Sequence, residues 1–428
     1  MFGKFFYSIP RVIFLVLFLV CFFDFSYLPH IISLRPDRKL LAVIMILLLL
    51  GFAESKISIH KNKFRRCINT LFVSLFLFSI VNCISCYFYR HQQPWVTFCH
   101  WAPIFLLFLY YPLRTLKLPI KSWENVIFYL FLIECVVELI QNLFPSLLLF
   151  NMTSGNWKFL NENRIRVYGN AILYIGNLFC FNKALLENYG TKKWLYWIMY
   201  FVSLMFMLLG GYRIVMLSNI VVSLILFIRI RGLGIRHYII LGIIAIILGG
   251  VSTLSVVQDR ISEIEERSVN QNFNNENYAR MITLNYYLND YFINPVELFL
   301  GSGLVQRQVK EDTNDVFSNK KYESKYSSDV SMMSARFHLY PIDWGLLGFS
   351  WEAGIPATLI LVIIAIIFIC TKLDNRYLYI SAWGMFILLF SITNGRYYSH
   401  HNLIYSAILL VLCDKIYQLK KVRKIKER

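Results

Sequence analysis

The stretch QRQVKEDTNDVFSNKKYESKYSSD, residues 306–329, lies in the only long polar segment of a chain that is otherwise mostly apolar. This polar segment extends from residue 258 to residue 343. Its middle has almost no hydrophobic periodicity, which predicts a loop rather than a helix or a strand. Both of its ends carry recognisable motifs and run towards apolar sequence. We therefore expect the functional residues at the two ends.

The rest of the chain has the composition of a membrane protein. Hydrophobic residues make up 57% of its 428 residues, and its mean hydropathy is +0.54. A soluble domain could not cover so much apolar surface with polar side chains. Because a membrane-spanning helix needs about 20 mostly apolar residues, we expect an all-α polytopic membrane protein with about 12 transmembrane helices. The candidate spans are residues 11–29, 39–54, 67–88, 97–113, 125–149, 167–186, 193–210, 213–229, 237–257, 344–370, 377–393 and 402–418.

The basic residues of the short loops predict how these spans are oriented. Cytoplasmic loops of membrane proteins are enriched in lysine and arginine. If the N-terminus is cytoplasmic, the more basic loops and the tail KKVRKIKER all fall on the cytoplasmic side. We therefore expect both termini in the cytoplasm and the long polar segment outside. The loop residues behind this expectation are Lys56, Lys61, Lys63, Arg65, Arg66, Arg114, Lys117, Lys121, Lys183, Lys192, Lys193, Arg229, Arg231 and Arg236.

Three regions follow from this arrangement. Residues 1–257 hold the first nine predicted spans, residues 258–343 form the predicted extracytoplasmic loop, and residues 344–428 hold the last spans and the basic tail. The net charge is +18, but the basic residues fall mostly in short loops between spans. Contact with the membrane surface explains this pattern better than binding to nucleic acid.

The first end of the polar segment contains Arg280 and the motif NPVELFLGSGL, residues 294–304. An apolar stripe over residues 277–292 predicts an amphipathic helix with Arg280 near its N-terminal end, and we expect Pro295 to end that helix. Behind the proline, Gly301 and the second glycine of the motif could turn backbone amides towards an anion. An ordinary turn between a surface helix and a loop would explain the same residues.

The second end of the polar segment reads HLYPIDWGLLGFSWEAG, residues 338–354. A histidine at a membrane surface can accept a proton near neutral pH, so His338 is the candidate general base. Asp343 is a candidate for substrate binding and the next candidate for the base. Alternatively, Asp343 and Trp344 mark the interface where a helix begins, and the glycines of the motif permit close helix packing.

Arg213 lies in the motif GGYRIVMLSN, residues 210–219, where two predicted spans meet on the outer side with almost no loop between them. An arginine at this depth is costly unless it is paired or binds an anion. The alternative is a boundary arginine whose guanidinium reaches the lipid headgroups. Both interpretations stay open for Arg213 alone.

Further polar residues are expected on the outer side and within the membrane. Several cations on one face could hold a diphosphate, because arginine makes forked bonds to phosphate oxygens. The alternative for each is a solvated loop residue. A polar stripe on the fifth predicted span could carry protons in a transporter or form a buried structural network. The outer cations are Arg164, Arg166, Arg336, Arg396, His400 and His401, and the stripe is Glu134, Glu138 and Gln141.

Taken together, these residues resemble the superfamily of O-antigen polymerases and O-antigen ligases, multispan enzymes that assemble bacterial surface glycans such as lipopolysaccharide and capsule. The resemblance covers the whole chain in outline. Arg213 follows a small-residue turn, Arg280 precedes a Pro-x-x-Gly-x-Gly-like turn, and His338 precedes a Gly-x-x-Gly helix start. Ligases of this superfamily usually have His-Asn directly before that helix. Here Leu339 follows the histidine, which favours the polymerase.

This resemblance implies a glycosyltransferase that joins undecaprenyl-diphosphate-linked oligosaccharide units on the outer face of the bacterial cytoplasmic (inner) membrane. Arg213, Arg280 and His338 would be its catalytic residues, without a cofactor. No cluster of histidine, cysteine or carboxylate residues has the spacing of metal ligands, so we expect a metal-independent site. The expected partners are the lipid-linked oligosaccharide, membrane lipids, a flippase and a chain-length regulator. A ligase of the same superfamily and a flippase or transporter of the same lipid are the alternatives.

Overall fold

The computed structural model describes residues 62–90, 94–101, 104–115, 118–144, 171–209, 213–232, 295–301, 344–392 and 400–426. Within these residues every regular element is helical and there is no strand, which confirms the all-helical class for this part of the chain. The predicted spans 11–29, 39–54 and 237–257 lie outside the described residues, and so does the helix predicted over residues 277–292.

The helices are numbered here in chain order. Two additional 3-10 helices cover Ile104–Leu109 and Asn375–Tyr377. The α-helices are α1 (Lys63–Arg90), α2 (Pro94–Trp101), α3 (Tyr110–Thr115), α4 (Ile120–Leu143), α5 (Ala171–Leu186), α6 (Thr191–Leu209), α7 (Arg213–Arg231), α8 (Pro295–Leu300), α9 (Gly345–Ala353), α10 (Ile355–Cys370), α11 (Leu378–Phe390) and α12 (His400–Lys426).

Several of these helices have the length and hydropathy of membrane spans. In the described part of the chain, three helical stretches are long and apolar enough to cross a bilayer, namely Lys63–Phe88, Ile214–Arg231 and Asn402–Lys420. Shorter apolar stretches cover Ile104–Arg114, Ala171–Leu186 and Ile355–Cys370. These helices support a membrane protein, whereas the count of about twelve spans stays a prediction.

Helix α12 forms the centre of the bundle. In its apolar part, 78% of the residues are buried, compared with 39% in α1 and 39% in α7. It packs against the Ile104–Leu109 3-10 helix and against α3, α4 and α5. On α1, by contrast, Leu77 and Ile84 expose about half of their side-chain surface. An apolar side chain on the outside of a bundle is what a lipid environment favours.

Two of the predicted spans, residues 97–113 and 344–370, are not single α-helices in the structure. The first consists of the end of α2, a 3-10 helix and α3. In the second, α9 ends at Ala353 and α10 begins at Ile355. The physical reason lies in GIP, residues 354–356. Gly354 adopts φ 86°, and the proline ring at residue 356 cannot continue a helix from the preceding turn.

One end of the bundle gathers the basic residues that the sequence assigned to the cytoplasm. The Arg65 guanidinium binds the buried carboxylate of Asp414 at 2.9 Å and 3.1 Å, and the Asn62 side-chain amide donates to the same carboxylate at 3.1 Å. These bonds join the start of α1 to the middle of α12. Lys415 donates to the Leu118 carbonyl, which adds the start of α4.

A second polar group at the same end centres on Glu124 of α4. Its carboxylate accepts from the Lys183 ammonium at 2.7 Å and lies 3.5 Å from the Arg376 guanidinium. Arg231, the last residue of α7, donates to the Leu185 carbonyl. Together with the Asp414 group, these contacts define the basic end of the bundle. Its location in the cytoplasm stays a prediction.

The Glu124 pair gives a prediction for stability. Both charged groups are largely buried, with exposed side-chain fractions of 10% for Lys183 and 5% for Glu124. Glu124→Ala removes the carboxylate and leaves the Lys183 ammonium buried, so we expect a loss of about 3 kcal/mol in the free energy of unfolding. The decrease of the thermal unfolding midpoint relative to the parent protein, in detergent, measures this loss.

An exposed pair at the same end supplies the control. Lys420 binds Asp374 at 2.7 Å, with exposed fractions of 36% and 54%. Because exposed ion pairs contribute little, Asp374→Ala should cost less than about 1 kcal/mol. Equal losses in the two variants would contradict the structural role of Glu124.

Candidate functional site

The motif at residues 294–304 and the motif at residues 338–354 are in backbone contact. A methyl group added to Gly301 would lie 2.5 Å from the Glu352 carbonyl oxygen and 2.6 Å from the Gly354 amide nitrogen. A methyl group on Gly354 would overlap the carbonyl of Phe299. Gly301, the last described residue before residue 302, therefore lies beside the C-terminal end of α9, one nine-residue helix after Trp344. The sequence alone did not predict that these two motifs are in contact.

Both glycines are required by their backbone angles as well as by space. Gly301 has φ 79° and Gly354 has φ 86°, in the left-handed region that glycine adopts without a steric penalty. Gly301 directly follows the last residue of α8, the position where glycine commonly ends a helix. Its sharp turn directs the chain away from α8 towards residue 302.

Pro295 begins α8, a role that the sequence analysis did not predict. Proline is well suited to the first helical turn, where its missing N–H is not needed. Whether it also ends a helix over residues 277–292 lies outside the described residues. The stretch PVELFL is thus a short helix and not part of a turn. The Phe299 ring packs against Phe78 of α1, with their centroids 6.1 Å apart. This packing holds α8 on α1.

An amide within α1 supports the turn from the other side. The side-chain amide of Asn82 donates to the carbonyl of Leu300, the residue before Gly301. The Asn82 carbonyl oxygen accepts from the Trp101 indole at 3.0 Å. Asn82 and Trp101 are 2% and 1% exposed. Sequence reasoning treated both as ordinary span residues, although a polar amide inside an apolar helix signals a buried hydrogen bond.

The returning chain is fixed against the end of α11. The Leu346 amide donates to the Ser391 carbonyl at 2.9 Å, and the Phe349 ring meets Trp101 edge-on at 6.2 Å. Glu352 is 1% exposed. Asn82, Gly301, Leu346 and Ser391 thus define a second end of the bundle, which we call the loop end.

Helix directions place further candidate residues at the loop end. Helix α7 ends at the basic end with Arg231 and is about 27 Å long, so its first residue, Arg213, begins it at the other end. The middle of α12 is likewise at the basic end through Asp414, and the helix begins about 21 Å away, towards the loop end, with His400 and His401. The structure describes the backbone of these three residues but not their side chains.

The other predicted site residues lie outside the described part of the chain. Their roles, and their positions relative to the loop end, stay predictions. Asp343 is covalently joined to Trp344, the residue before α9. The residues outside the description are Arg164, Arg166, Arg280, Arg336, His338, Asp343 and Arg396.

Two members of the polar stripe of the fifth predicted span, the glutamates, are buried in the bundle interior, as the sequence indicated; the side chain of Gln141 lies outside the description. Glu134 and Glu138 on α4 are 1% and 2% exposed. One turn away, Phe131 packs directly onto Gly176 of α5, where any larger side chain would overlap its ring. Among the described residues no group of three histidine, cysteine or carboxylate side chains could hold a metal ion.

The glycine contact gives a direct prediction. Gly301→Ala combines an unfavourable φ with an overlap against the backbone of residues 352–354, so we expect it to destabilise the protein by more than about 3 kcal/mol. A matched control is Gly232→Ala, because Gly232 has φ 75° but no atom within 4 Å of the added methyl group. That variant should lose only about 1 kcal/mol. Thermal unfolding in detergent compares them, and equal midpoints would exclude a tight contact at Gly301.

Comparison with known proteins does not identify a relative of the chain, since no protein-family model, curated protein or solved structure matches it. The loop end is therefore the candidate site on the grounds of its own residues and contacts. The described residues support a helical membrane protein, and its activity is a matter for proposal.

Proposed function

We propose that the protein polymerises undecaprenyl-diphosphate-linked oligosaccharide units on the outer face of the bacterial cytoplasmic membrane. The observation that carries this proposal is the backbone contact between Gly301 and residues 352–354. It brings together the motifs at residues 294–304 and 338–354. Both lie at the end of the bundle where Arg213 begins α7. A polymerase needs such convergence, because its cations and its base must act on one glycosidic bond.

The reaction requires a donor that is already activated. An enzyme outside the cytoplasm has no nucleotide sugar, whereas a sugar on a polyprenyl diphosphate carries its own leaving group. A hydroxyl oxygen of the acceptor unit forms a bond to the anomeric carbon of the donor. The bond from that carbon to the diphosphate oxygen breaks, and the electron pair leaves with undecaprenyl diphosphate. The proton of the acceptor hydroxyl passes to His338 as general base.

Negative charge grows on the diphosphate as the bond breaks. Fixed guanidinium groups stabilise that charge without reorganising, and they do so most strongly where water is excluded. In this proposal Arg213 and Arg280 contact the diphosphate, and Asp343 and the other outer cations hold the oligosaccharide. The start of α12 with His400 and His401 supports this arrangement, since it lies at the same end of the bundle.

A transporter of the same lipid is the second candidate. The specific observation in its favour is the pair Glu134 and Glu138, both buried within a predicted span. Buried carboxylates inside a membrane often belong to proton pathways. The transporter, however, does not explain why the motifs at residues 294–304 and 338–354 are packed on each other. The polymerase accounts for that contact and is preferred.

Arginine geometry provides a first test. If Arg213 forks onto phosphate oxygens, lysine cannot replace it, because an ammonium is a point charge. We expect Arg213→Lys to slow polymerisation by about tenfold or more while membrane levels stay normal. Arg229→Lys, in the last turn of the same helix, should retain long surface glycan. Normal polymer length in the Arg213 variant would make it a boundary residue.

His338→Ala tests the class of the protein through the products that accumulate. Loss of a general base slows a reaction by about a hundredfold to ten-thousandfold, so single exported units should replace long chains. Gel patterns of surface glycan, with fractionation of the lipid-linked pool, measure this. Units trapped on the cytoplasmic leaflet would instead indicate a flippase, and long polymer on the lipid carrier a ligase. Unchanged chain length would remove His338 from the mechanism.

A further inference from the structure

We propose that Asn82 is a positioning residue that sets the direction in which the chain leaves Gly301 towards residue 302. This inference rests on the polymerase function proposed above. The residue does not touch the proposed substrate groups in this account. It acts through the carbonyl of Leu300, to which its side-chain amide donates.

The Asn82 amide connects three parts of the chain that are far apart in sequence. Asn82 belongs to α1, Trp101 ends α2, and Leu300 ends α8. An indole N–H can only donate, so the oxygen of the Asn82 amide faces Trp101 and its NH2 group faces Leu300. The orientation of the amide is therefore fixed by its partners.

The carbonyl that accepts this bond belongs to Leu300, the last residue of α8. The last carbonyls of a helix have no partner within the helix and must be satisfied from elsewhere. The bond also holds the peptide plane that joins Leu300 to Gly301, whose backbone lies on residues 352–354. A rotation of this plane would redirect the chain from residue 302 onward. In a polymerase, a displacement of about 1 Å in a catalytic group can cost on the order of a hundredfold in rate.

Asn82→Asp removes the donor and keeps the shape of the side chain. The carboxyl still accepts from Trp101. In its ionised form the other oxygen faces the Leu300 carbonyl as a second acceptor, whereas the protonated form would donate to that carbonyl, so Asn82→Leu, which has no donor in any form, is made beside it. Asn69→Asp is the matched control on the same helix, because the Asn69 oxygen accepts from the Tyr111 hydroxyl at 2.9 Å and the substitution preserves that acceptor. Asn82→Leu introduces no charge, and it replaces Asn82→Asp in the test if the aspartate variant does not accumulate.

The experiment uses the purified full chain in vesicles with undecaprenyl-diphosphate-linked repeat units. Hydrogen exchange at the amides of residues 298–301 reports whether the turn is held, and kcat and KM report the reaction. We expect Asn82→Asp to speed exchange there and to lower kcat by at least about tenfold, with KM within about twofold of the parent. Asn69→Asp should match the parent in all three.

The outcomes separate this inference from the proposed function. If the Asn82 variants keep the parent's exchange or its kcat while Arg213→Lys loses polymerisation, the positioning role is wrong and the polymerase proposal stands. A rise in KM with kcat unchanged would also overturn positioning. If the parent protein forms no polymer, the proposed function is wrong. Unchanged hydrogen exchange at residues 298–301 in the Asn82 variants would still show that the Asn82 bond does not hold the turn.

Discussion

The backbone of Gly301 lies directly on the backbone of residues 352–354, with no room for a side chain between them. The two sides of this contact are far apart in sequence, and the entropic cost of bringing distant positions together grows only slowly with their separation. What a long insertion needs is a firm anchor at its base. Paired glycines, the break between α9 and α10 and the amide of Asn82 all belong to that anchor.

The two ends of the bundle are held by different kinds of interaction. At the basic end, buried carboxylates on α4 and α12 pair with lysine and arginine from other helices. At the loop end, the described contacts are backbone packing, amide hydrogen bonds and aromatic rings. A membrane interior offers no water to unpaired polar groups, so each of these contacts also satisfies groups that would otherwise be costly.

Much of the helical framework was predictable from the sequence, because apolar runs of span length need only local information. The span predicted over residues 193–210 is Thr191–Leu209 in the structure, and the one over 213–229 is Arg213–Arg231. The sequence analysis did not predict the break at Gly354, because hydropathy is averaged over a window and a single turn hardly changes the mean. The sequence analysis considered Pro295 only as the end of a helix, although proline is also favoured in the first helical turn, and Pro295 begins α8. The partnership of Asn82 with Leu300 depends on tertiary packing, which no local pattern reports. For Arg280 and His338, sequence motifs remain the basis of the proposal.

The central claim is that the loop end lies outside the cell and the basic end in the cytoplasm. Paired reporters test it most directly: alkaline phosphatase, active only outside, and a fluorescent protein that matures only inside, each inserted into the full chain. Insertion after Asn314 should give phosphatase activity without fluorescence. Insertion after Gly190, in the turn between α5 and α6 at the basic end, should give fluorescence alone. The reverse pattern at these two positions would contradict the account, because the activated lipid-linked donor would then face the wrong side of the membrane.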